Sequence, residues 1–368
     1  MRVYINGYSA TCCAGMDIEE IFDAILEKKS GVSYQDSYID GLTIPLGKIQ
    51  ESADFFELIK QNVANTIKNL PSFNAKETTL LVGSSVGGMC YAEDAYFRDH
   101  NCENITAECL SIRSIADELV DAFGFKSATS FSTACTSSSV AIDLAYDMIT
   151  NDLVKNVIIV GADELSRSAV NGFHSLGIAS ETPTKPFDRA RDGINVAEGI
   201  AVLALSCFQS KGCAEILGCG SSSDAYNITH PHPEGEGAIA AMREALYNAG
   251  LQPSDIDYIN AHGTGTVAND ETESLAISAI FGNQTPVSST KAITGHTLGA
   301  CGALEVAISA MCIKHKIIPP SANIDNKLDS DINLILDPIK SDVRYILSNA
   351  FGFGGGNVSI VIGGVDED

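Results

Sequence analysis

The chain is poor in positive charge. Against 47 aspartates and glutamates it has 23 lysines and arginines, a formal net charge of −24, and no basic patch longer than two residues. Such a balance repels phosphate backbones and argues against nucleic-acid binding. Paired-cysteine motifs are also absent: the eleven cysteines include no Cys-x-x-Cys pair and no Cys/His cluster at zinc spacing. No metal site follows from that pattern, and reduced thiols in a reducing compartment fit it. Cys207, Cys213 and Cys219 recur every six residues, but their stretch reads as two strands and a turn, which makes them core residues. Long apolar runs are missing too. The longest, Gly199 to Phe208, is too short to span a bilayer, and Met1 to Asn6 reads as a strand rather than a signal peptide. The expectation is a cytoplasmic protein with no membrane association.

What the chain does have is apolar content and internal repetition. At 368 residues and 45% hydrophobic, it can bury a large core. Each half opens with a strand ending in small residues, Arg2 to Ser9 and then Ala214 to Ser221. Each continues through a helix to a buried strand that breaks into a turn, Thr79 to Ser85 and then Tyr258 to Gly263. A further strand ends in Ser/Thr before a helix rich in small residues, and two more strands close each half. The spacing predicts two similar β-α-β-α-β-β halves, residues 1–209 and 210–368. Apolar runs without alternation imply sheets covered on both faces, so the fold class is α/β.

The polar residues of interest collect in the matching turns of the two halves. Cys135 stands in Thr133-Ala134-Cys135-Thr136-Ser137-Ser138, between a strand from Ala128 and a helix marked by Val140, Leu144 and Met148. Free N–H groups and the helix dipole favour a thiolate at that position. A structural core cysteine would explain Cys135 alone, so its company decides. His262 lies in Asn260-Ala261-His262-Gly263-Thr264-Gly265-Thr266, and His296 in Lys291 to Gly299, each in a turn containing glycine. Two such imidazoles can each offer an N–H or a lone pair to a substrate carbonyl. Lys291 and Glu305 form a candidate pair around the His296 helix, since a buried lysine needs a partner. The loop Phe351-Gly352-Phe353-Gly354-Gly355-Gly356-Asn357 lacks both the context of a dinucleotide fingerprint and the lysine of a P-loop. Its glycines instead let backbone N–H groups point inward, so it can complete an oxyanion hole.

Together these residues resemble the 3-oxoacyl-[acyl carrier protein] synthases of the thiolase superfamily, the chain-elongating condensing enzymes. The resemblance rests on Thr133 to Ser137, Lys185 to Gly193 with Glu198 and Gly199, Asn260 to Thr266 with Asp270, Lys291 to Gly299 with Glu305, and Phe351 to Gly355. It implies a five-layered αβαβα thiolase-like fold and a dimer, normally of identical chains. It further implies that Cys135 takes an acyl group from acyl carrier protein, with the N–H groups of Cys135 and Phe353 as the oxyanion hole. His262 and His296 would bind the malonyl-carrier thioester, and decarboxylative condensation would give a 3-oxoacyl-carrier product without metal or organic cofactor. Lys291, paired with Glu305, would fix the position and charge state of the histidines, Phe353 would gate the second substrate with Phe351 as a supporting residue, and Asp270 falls at a family position near the active site. Cys-His-His, rather than the Cys-His-Asn of priming synthases or the second Cys of thiolases, favours elongation. The retained Cys135 argues against a chain-length-factor subunit, although a heterodimeric ketosynthase is the alternative.

Departures from the family pattern sharpen the question of partners. The chain is shorter than typical elongating synthases, mainly in segments 97–112 and 165–185, where those enzymes meet the acidic carrier. Arg167, Lys185, Arg189 and Arg191 are the cations left for docking. Met89 and Ala92 fall where the family borders its acyl pocket, and the small Ala92 suggests a deep one. Fatty acid or specialised polyketide or polyene synthesis both fit these features.

Overall fold

The computed structural model describes residues 1–50, 54–68, 70, 73–103, 105–210 and 214–365, and the side chains of 108 and 109 are outside that description. The apolar runs of the first half become strands β1 (Val3–Cys12), β2 (Thr79–Gly83), β3 (Ser127–Phe131), β4 (Asn156–Asp163) and β5 (Gly199–Ser206). The second half supplies β6 (Ala214–Ser223), β7 (Tyr258–Asn260), β8 (Pro286–Ser288), β9 (Asn333–Leu334), β10 (Tyr345–Phe351) and β11 (Gly356–Gly364). Among the described residues these strands pair in the order β9-β8-β7-β10-β11-β6-β1-β5-β4-β2-β3. The order β1-β5-β4-β2-β3 on one side is repeated by β6-β11-β10-β7-β8 on the other, with β9 added at the far edge. Within the eleven-stranded sheet, among the described residues, Val3 to Ile5 and Ala214 to Ile216 join the two sides by a short antiparallel ladder.

The longer helices are α1 (Ile18–Leu26), α2 (Phe55–Ile67), α3 (Met89–Asp99), α4 (Ser114–Phe123), α5 (Ser137–Thr150), α6 (Arg167–Ser175), α7 (Glu236–Ala249), α8 (Val267–Phe281) and α9 (Cys301–His315). Between the second and third strands of each side run helical connections, α3 and α4 in one and α8 in the other; α6 lies between the last two strands of the first side, and β9 follows α9 in the second.

Helices α5 and α9 form the central layer. They pack on each other, and each touches strands of both sides: α5 meets β2, β4, β6 and β11, and α9 meets β4, β5, β10 and β11. Small residues permit this approach. A β-carbon on Gly302 of α9 would stand 1.9 Å from the Ser139 hydroxyl of α5. Outside, α2 covers β1 and β5, α4 covers β2 and β3, and α7 covers β6 and β11, which gives the five layers. Strand β5 is buried along its whole length, as an unalternating apolar run sandwiched between helices should be. Each fully buried aliphatic side chain there is worth about 1.5–3 kcal/mol relative to exposure.

Among the described residues, the stretch Leu298–His315 is long and apolar enough to cross a membrane, but 83% of it is buried inside the protein. It is the central helix α9 with the turn before it. Of the three regularly spaced cysteines, Cys219 is buried in the core, Cys207 is half-buried, and Cys213 lies outside the described residues.

Candidate active site

The cleft between the two sides is built from the turns that leave β2, β3, β7 and β8. Strand β3 ends at Phe131, and the chain then turns through Ala134 at a left-handed φ of 53°. A non-glycine residue there costs of order 1–3 kcal/mol, so the turn needs support. Hydroxyl groups provide it. Ser137 Oγ donates to the Ala134 carbonyl at 2.6 Å, Ser85 Oγ donates to the same carbonyl at 3.0 Å, and Thr136 Oγ1 donates to the Thr133 carbonyl at 2.7 Å. This explains the run of Ser and Thr around Cys135, and it sets the thiol two residues before α5.

Cys135 is only 7% exposed. Burial pushes its thiol up to about 11, against the pull of the Lys291 charge and of the Phe353 and Cys135 N–H groups. The sequence suggested a thiolate stabilised by the helix start, and that expectation is corrected here: desolvation outweighs it, and the resting group is a thiol. Proton removal must therefore accompany its attack on any electrophile.

Two imidazoles stand beside it. Cys135 Sγ and ring nitrogens of His262 and His296 lie within 4.8 Å of one another. The rings meet edge to face, 5.4 Å between centroids. Burial and the Lys291 charge hold both histidines well below the usual imidazole range, so both are neutral at pH 7. The Leu298 N–H donates to His296 Nδ1 at 3.2 Å, which places the proton of neutral His296 on Nε2. His262 is fixed through its backbone: its N–H and that of Gly263 donate to the two oxygens of Glu273 at 2.8 and 2.7 Å. Gly263 has a φ of 38°, and a β-carbon there would stand 2.5 Å from Ser289 Cβ. His262 Nδ1 has no hydrogen-bond partner among the described residues.

Lys291 opens the single helical turn Lys291–Thr294 and forms a buried ion pair with Glu305 of α9. Burial works against its charge, but Glu305 prevails and raises the Lys291 ammonium above its ordinary value. Glu305 itself is pushed up to about 7 by burial, against the attraction of Lys291. The Lys291 ammonium, held by Glu305, is the charge that acts on both imidazoles.

The glycine loop joins β10 to β11. Gly354 and Gly355 adopt φ of 87° and 80°, and the Gly354 N–H donates to the Ile228 carbonyl at 2.7 Å. The Phe353 ring packs on Phe173 of α6 at 5.9 Å between centroids, and Phe351 lies 5.8 Å from His262. A cavity of about 400 Å³ is lined by Cys135, His262, His296, Phe351 and Phe353 together with the exposed residues Ile228 and Val267. It runs from the surface to the thiol.

Other expected residues fall elsewhere. Asp270 is fully buried, accepts the Phe187 N–H at 2.7 Å and the Gly265 N–H at 3.2 Å, and so fastens the Lys185 to Asp188 segment to the histidine turn. Met89 and Ala92 do not line the Cys135 cavity. Their helix, α3, instead turns Cys90, Glu93 and Asp94 into a separate polar cavity of about 220 Å³, shared with Arg167. Arg167 also lies over the Phe97 ring at 4.6 Å. Lys185 pairs with Asp325 at 3.4 Å and Arg189 with Asp329 at 3.7 Å. Arg191 cannot meet a partner: it is 6% exposed, and its guanidinium donates to the carbonyls of Asp188, Thr266 and Val267. Asp163, Glu273 and Phe173 were not expected at the site. A carboxylate closing a buried apolar strand, and a second acid one turn beyond Asp270, were the available signals for the first two.

Comparison with known proteins gives a consistent set of relatives. Family models described as beta-ketoacyl synthase, N-terminal domain, and beta-ketoacyl synthase, C-terminal domain, match residues 67–208 and 213–325. The 3-oxoacyl-[acyl-carrier-protein] synthase 2 of Coxiella burnetii is 31% identical over 410 aligned residues, covering 98% of each chain. That of Synechocystis sp. is 34% identical over 78% of this chain and 75% of its own. Among solved structures, a chain of the ketosynthase ApeO in complex with its chain length factor ApeC from Xenorhabdus doucetiae superposes with a TM-score of 0.91 at 29% identity, covering 99% of this chain and 98% of that one. A beta-ketoacyl synthase from Burkholderia phymatum gives 0.90 at 27% identity, covering 99% and 100%.

Proposed function

The chain belongs to the beta-ketoacyl synthase family, and from that premise we propose that it joins an acyl group held on Cys135 to the two-carbon unit of malonyl-acyl carrier protein, with loss of carbon dioxide. The observation that carries the reading is one buried thiol and two neutral imidazoles within 4.8 Å of one another at the floor of a surface-connected cavity. In the first half-reaction the Cys135 thiol gives up its proton as sulfur attacks the acyl thioester. A neutral imidazole in the cluster is a suitable acceptor. The Cys135 and Phe353 N–H groups, which already act on the sulfur, receive the oxyanion, and the carrier thiol leaves with a proton. Losing one such donor typically costs ~10²–10³ in rate.

In the second half-reaction the malonyl thioester carbonyl accepts from the histidines, His296 offering its Nε2–H. Carbon dioxide departs, the resulting enolate attacks the acyl-Cys135 carbonyl, and Cys135 leaves to be reprotonated. The product is a 3-oxoacyl-carrier protein two carbons longer, and the scheme calls for no metal or organic cofactor. Burial, helped by the Lys291 charge, keeps both imidazoles neutral, which suits hydrogen-bond donation to a carbonyl without trapping the enolate as a salt. Phe353 and Phe173 form the gate. Residues 1–209 and 210–368 act as two copies of one unit facing each other across the reaction. The likeness to a ketosynthase–chain length factor complex favours, as a second reading, a catalytic subunit paired with a related chain in polyketide or polyene synthesis. A cytoplasmic dimer fits either reading.

The test supplies acyl- and malonyl-carrier protein to wild type and two variants. Cys135→Ala should abolish 3-oxoacyl product while malonyl decarboxylation persists, and His296→Ala should lose decarboxylation. Condensation surviving in Cys135→Ala would refute the mechanism.

A further inference from the structure

Among the described residues, a second cluster of metal-ligating side chains shares His262 and takes its other two members from α9. Cys301 and Glu305 stand four residues apart on that helix, so both side chains leave one face. Cys301 Sγ, a ring nitrogen of His262 and a carboxylate oxygen of Glu305 lie within 4.8 Å of one another, and each of the three residues is 2% exposed. Two of their polar atoms are orphans. His262 Nδ1 and Glu305 Oε2 are buried without a hydrogen-bond partner among the described residues, a state that costs about 1–3 kcal/mol per atom and that a bound group would relieve.

The competing cluster, Cys135 with His262 and His296, is the poorer ligand set. His296 Nδ1 accepts from the Leu298 N–H and its Nε2 carries the proton, so that ring has no free lone pair to give a metal. The α9 cluster does have free ones. Lys291 bonds Oε1 of Glu305 and leaves Oε2 open, and the Cys301 thiol is a weak donor to the Cys135 carbonyl at 3.2 Å. Thiolate, imidazole and carboxylate together are ligands of zinc, whereas the sulfur disfavours magnesium and calcium.

We propose that Cys301, His262 and Glu305 form an inhibitory zinc-binding site, which the ion reaches through the cavity that His262 lines. Burial raises the Cys301 thiol well above its ordinary value, so the ion must displace that proton, which passes to solvent. His262 Nδ1 and Glu305 Oε2 supply lone pairs, and no electron is transferred. The Lys291 ammonium opposes the ion, and the thiolate formed on binding offsets it. Zinc–ligand bonds of ~2.0–2.3 Å hold tetrahedral ligands roughly 3.3–3.7 Å apart, so the three atoms close by up to about 1 Å. Closure draws His262 towards α9 and away from Cys135. Under the proposed condensation, on which the inhibitory effect rests but the binding does not, a misplacement of about 1 Å costs about 10²-fold in rate.

The experiment titrates the full chain with cobalt(II), a spectroscopic stand-in for zinc, and reads the thiolate-to-cobalt charge-transfer band. Wild type and Cys135→Ala should both give the band, and Cys301→Ala and the size-matched Cys301→Ser should both lose it. Excess magnesium should leave the band unchanged, and zinc should bleach it. In the condensation assay zinc should slow wild type about 10²-fold, reversibly with a chelator, and slow Cys301→Ala less than about twofold. A band lost in Cys135→Ala would put the ion on the nucleophile, a band kept in both Cys301 variants would put it on another thiol, and no band in wild type would leave no site; each overturns the proposal. Equal zinc inhibition of wild type and Cys301→Ala overturns the inhibitory role. If wild type condenses nothing, the proposed reaction has failed, and the cobalt band still decides the site.

Discussion

The cysteine side and the histidine side of the cleft are each held by a buried carboxylate, but they are held differently. Asp163, at the end of β4, accepts from Ser84 Oγ at 2.6 Å and from the N–H groups of Ser85 and Val86 at 2.9 Å, and it reaches across to the Gly299 N–H at 2.6 Å. Glu273, on α8, accepts from His262, Gly263, Asn269 and Asn349, all on its own side. Asp163 therefore sets the distance between the Cys135 turn and the loop that carries His296. Glu273 orients a single histidine turn. The difference teaches that the reaction geometry depends on one cross-cleft staple and one local support, and the two should fail in different ways.

The largest expected effect is at the staple. Asp163→Ala leaves four donors, two buried and two part-buried, without an acceptor, and should cost about 3–5 kcal/mol in urea unfolding and abolish condensation. Asp163→Asn, which restores part of the pairing, should recover part of the stability but not the rate if cross-cleft spacing matters. A full recovery of rate would reduce Asp163 to a folding residue.

Glu273→Gln should be milder. One amide oxygen can accept only part of what the carboxylate accepted, so a loss of about 1–3 kcal/mol is expected. Decarboxylation should fall while alkylation of Cys135 by iodoacetamide keeps its wild-type rate. Equal damage to both activities would erase the contrast between the two supports.

Smaller again is a pH effect from the two histidines. His262 and His296 are held well below the ordinary imidazole value, so between the two values the unfolded chain binds protons that the folded chain does not. Stability is complete above about pH 6.5 and is lost as pH falls below it, by about 1.4 kcal/mol per histidine at pH 5.5. Glu273, pushed up to about 7 from an ordinary 4.5 by burial, runs the other way: between those values the folded state keeps a proton the unfolded chain has lost, and stability falls as pH rises from about 4.5 to 7. Because the slopes oppose, the measurement is a difference. His296→Asn should lose less stability than wild type on going from pH 7.5 to 5.5. An identical loss would mean that His296 is not buried as a neutral ring.

Much of this site is legible in the sequence, for a physical reason. Cys135, His262, His296 and the Phe353 loop sit in turns whose glycines and hydroxyls are demanded by unusual backbone, and Ala134 at positive φ shows why Ser and Thr crowd around Cys135. The strands are legible because strands covered by helices on both faces read as unbroken apolar runs. What was not legible depends on orientation and depth. Asp163 and Glu273 look like any of 47 acidic residues until folding buries them. Arg191 sits in a polar stretch that reads as exposed, yet its guanidinium is spent on three carbonyls. Met89 and Ala92, which the family resemblance places beside an acyl pocket, lie outside the lining of the Cys135 cavity. The protonation state of Cys135 was misjudged for the same cause, since helix-start chemistry is local and desolvation is not.

The account stands most directly on an acyl thioester at Cys135. Incubation with acyl-carrier protein, followed by peptide mass spectrometry, should find the acyl mass on the peptide containing Cys135. The label should be chased into 3-oxoacyl-carrier product when malonyl-carrier protein is added, and it should be absent in Cys135→Ala. An acyl group on another residue, or product formed while Cys135 stays unmodified and unneeded, would contradict it.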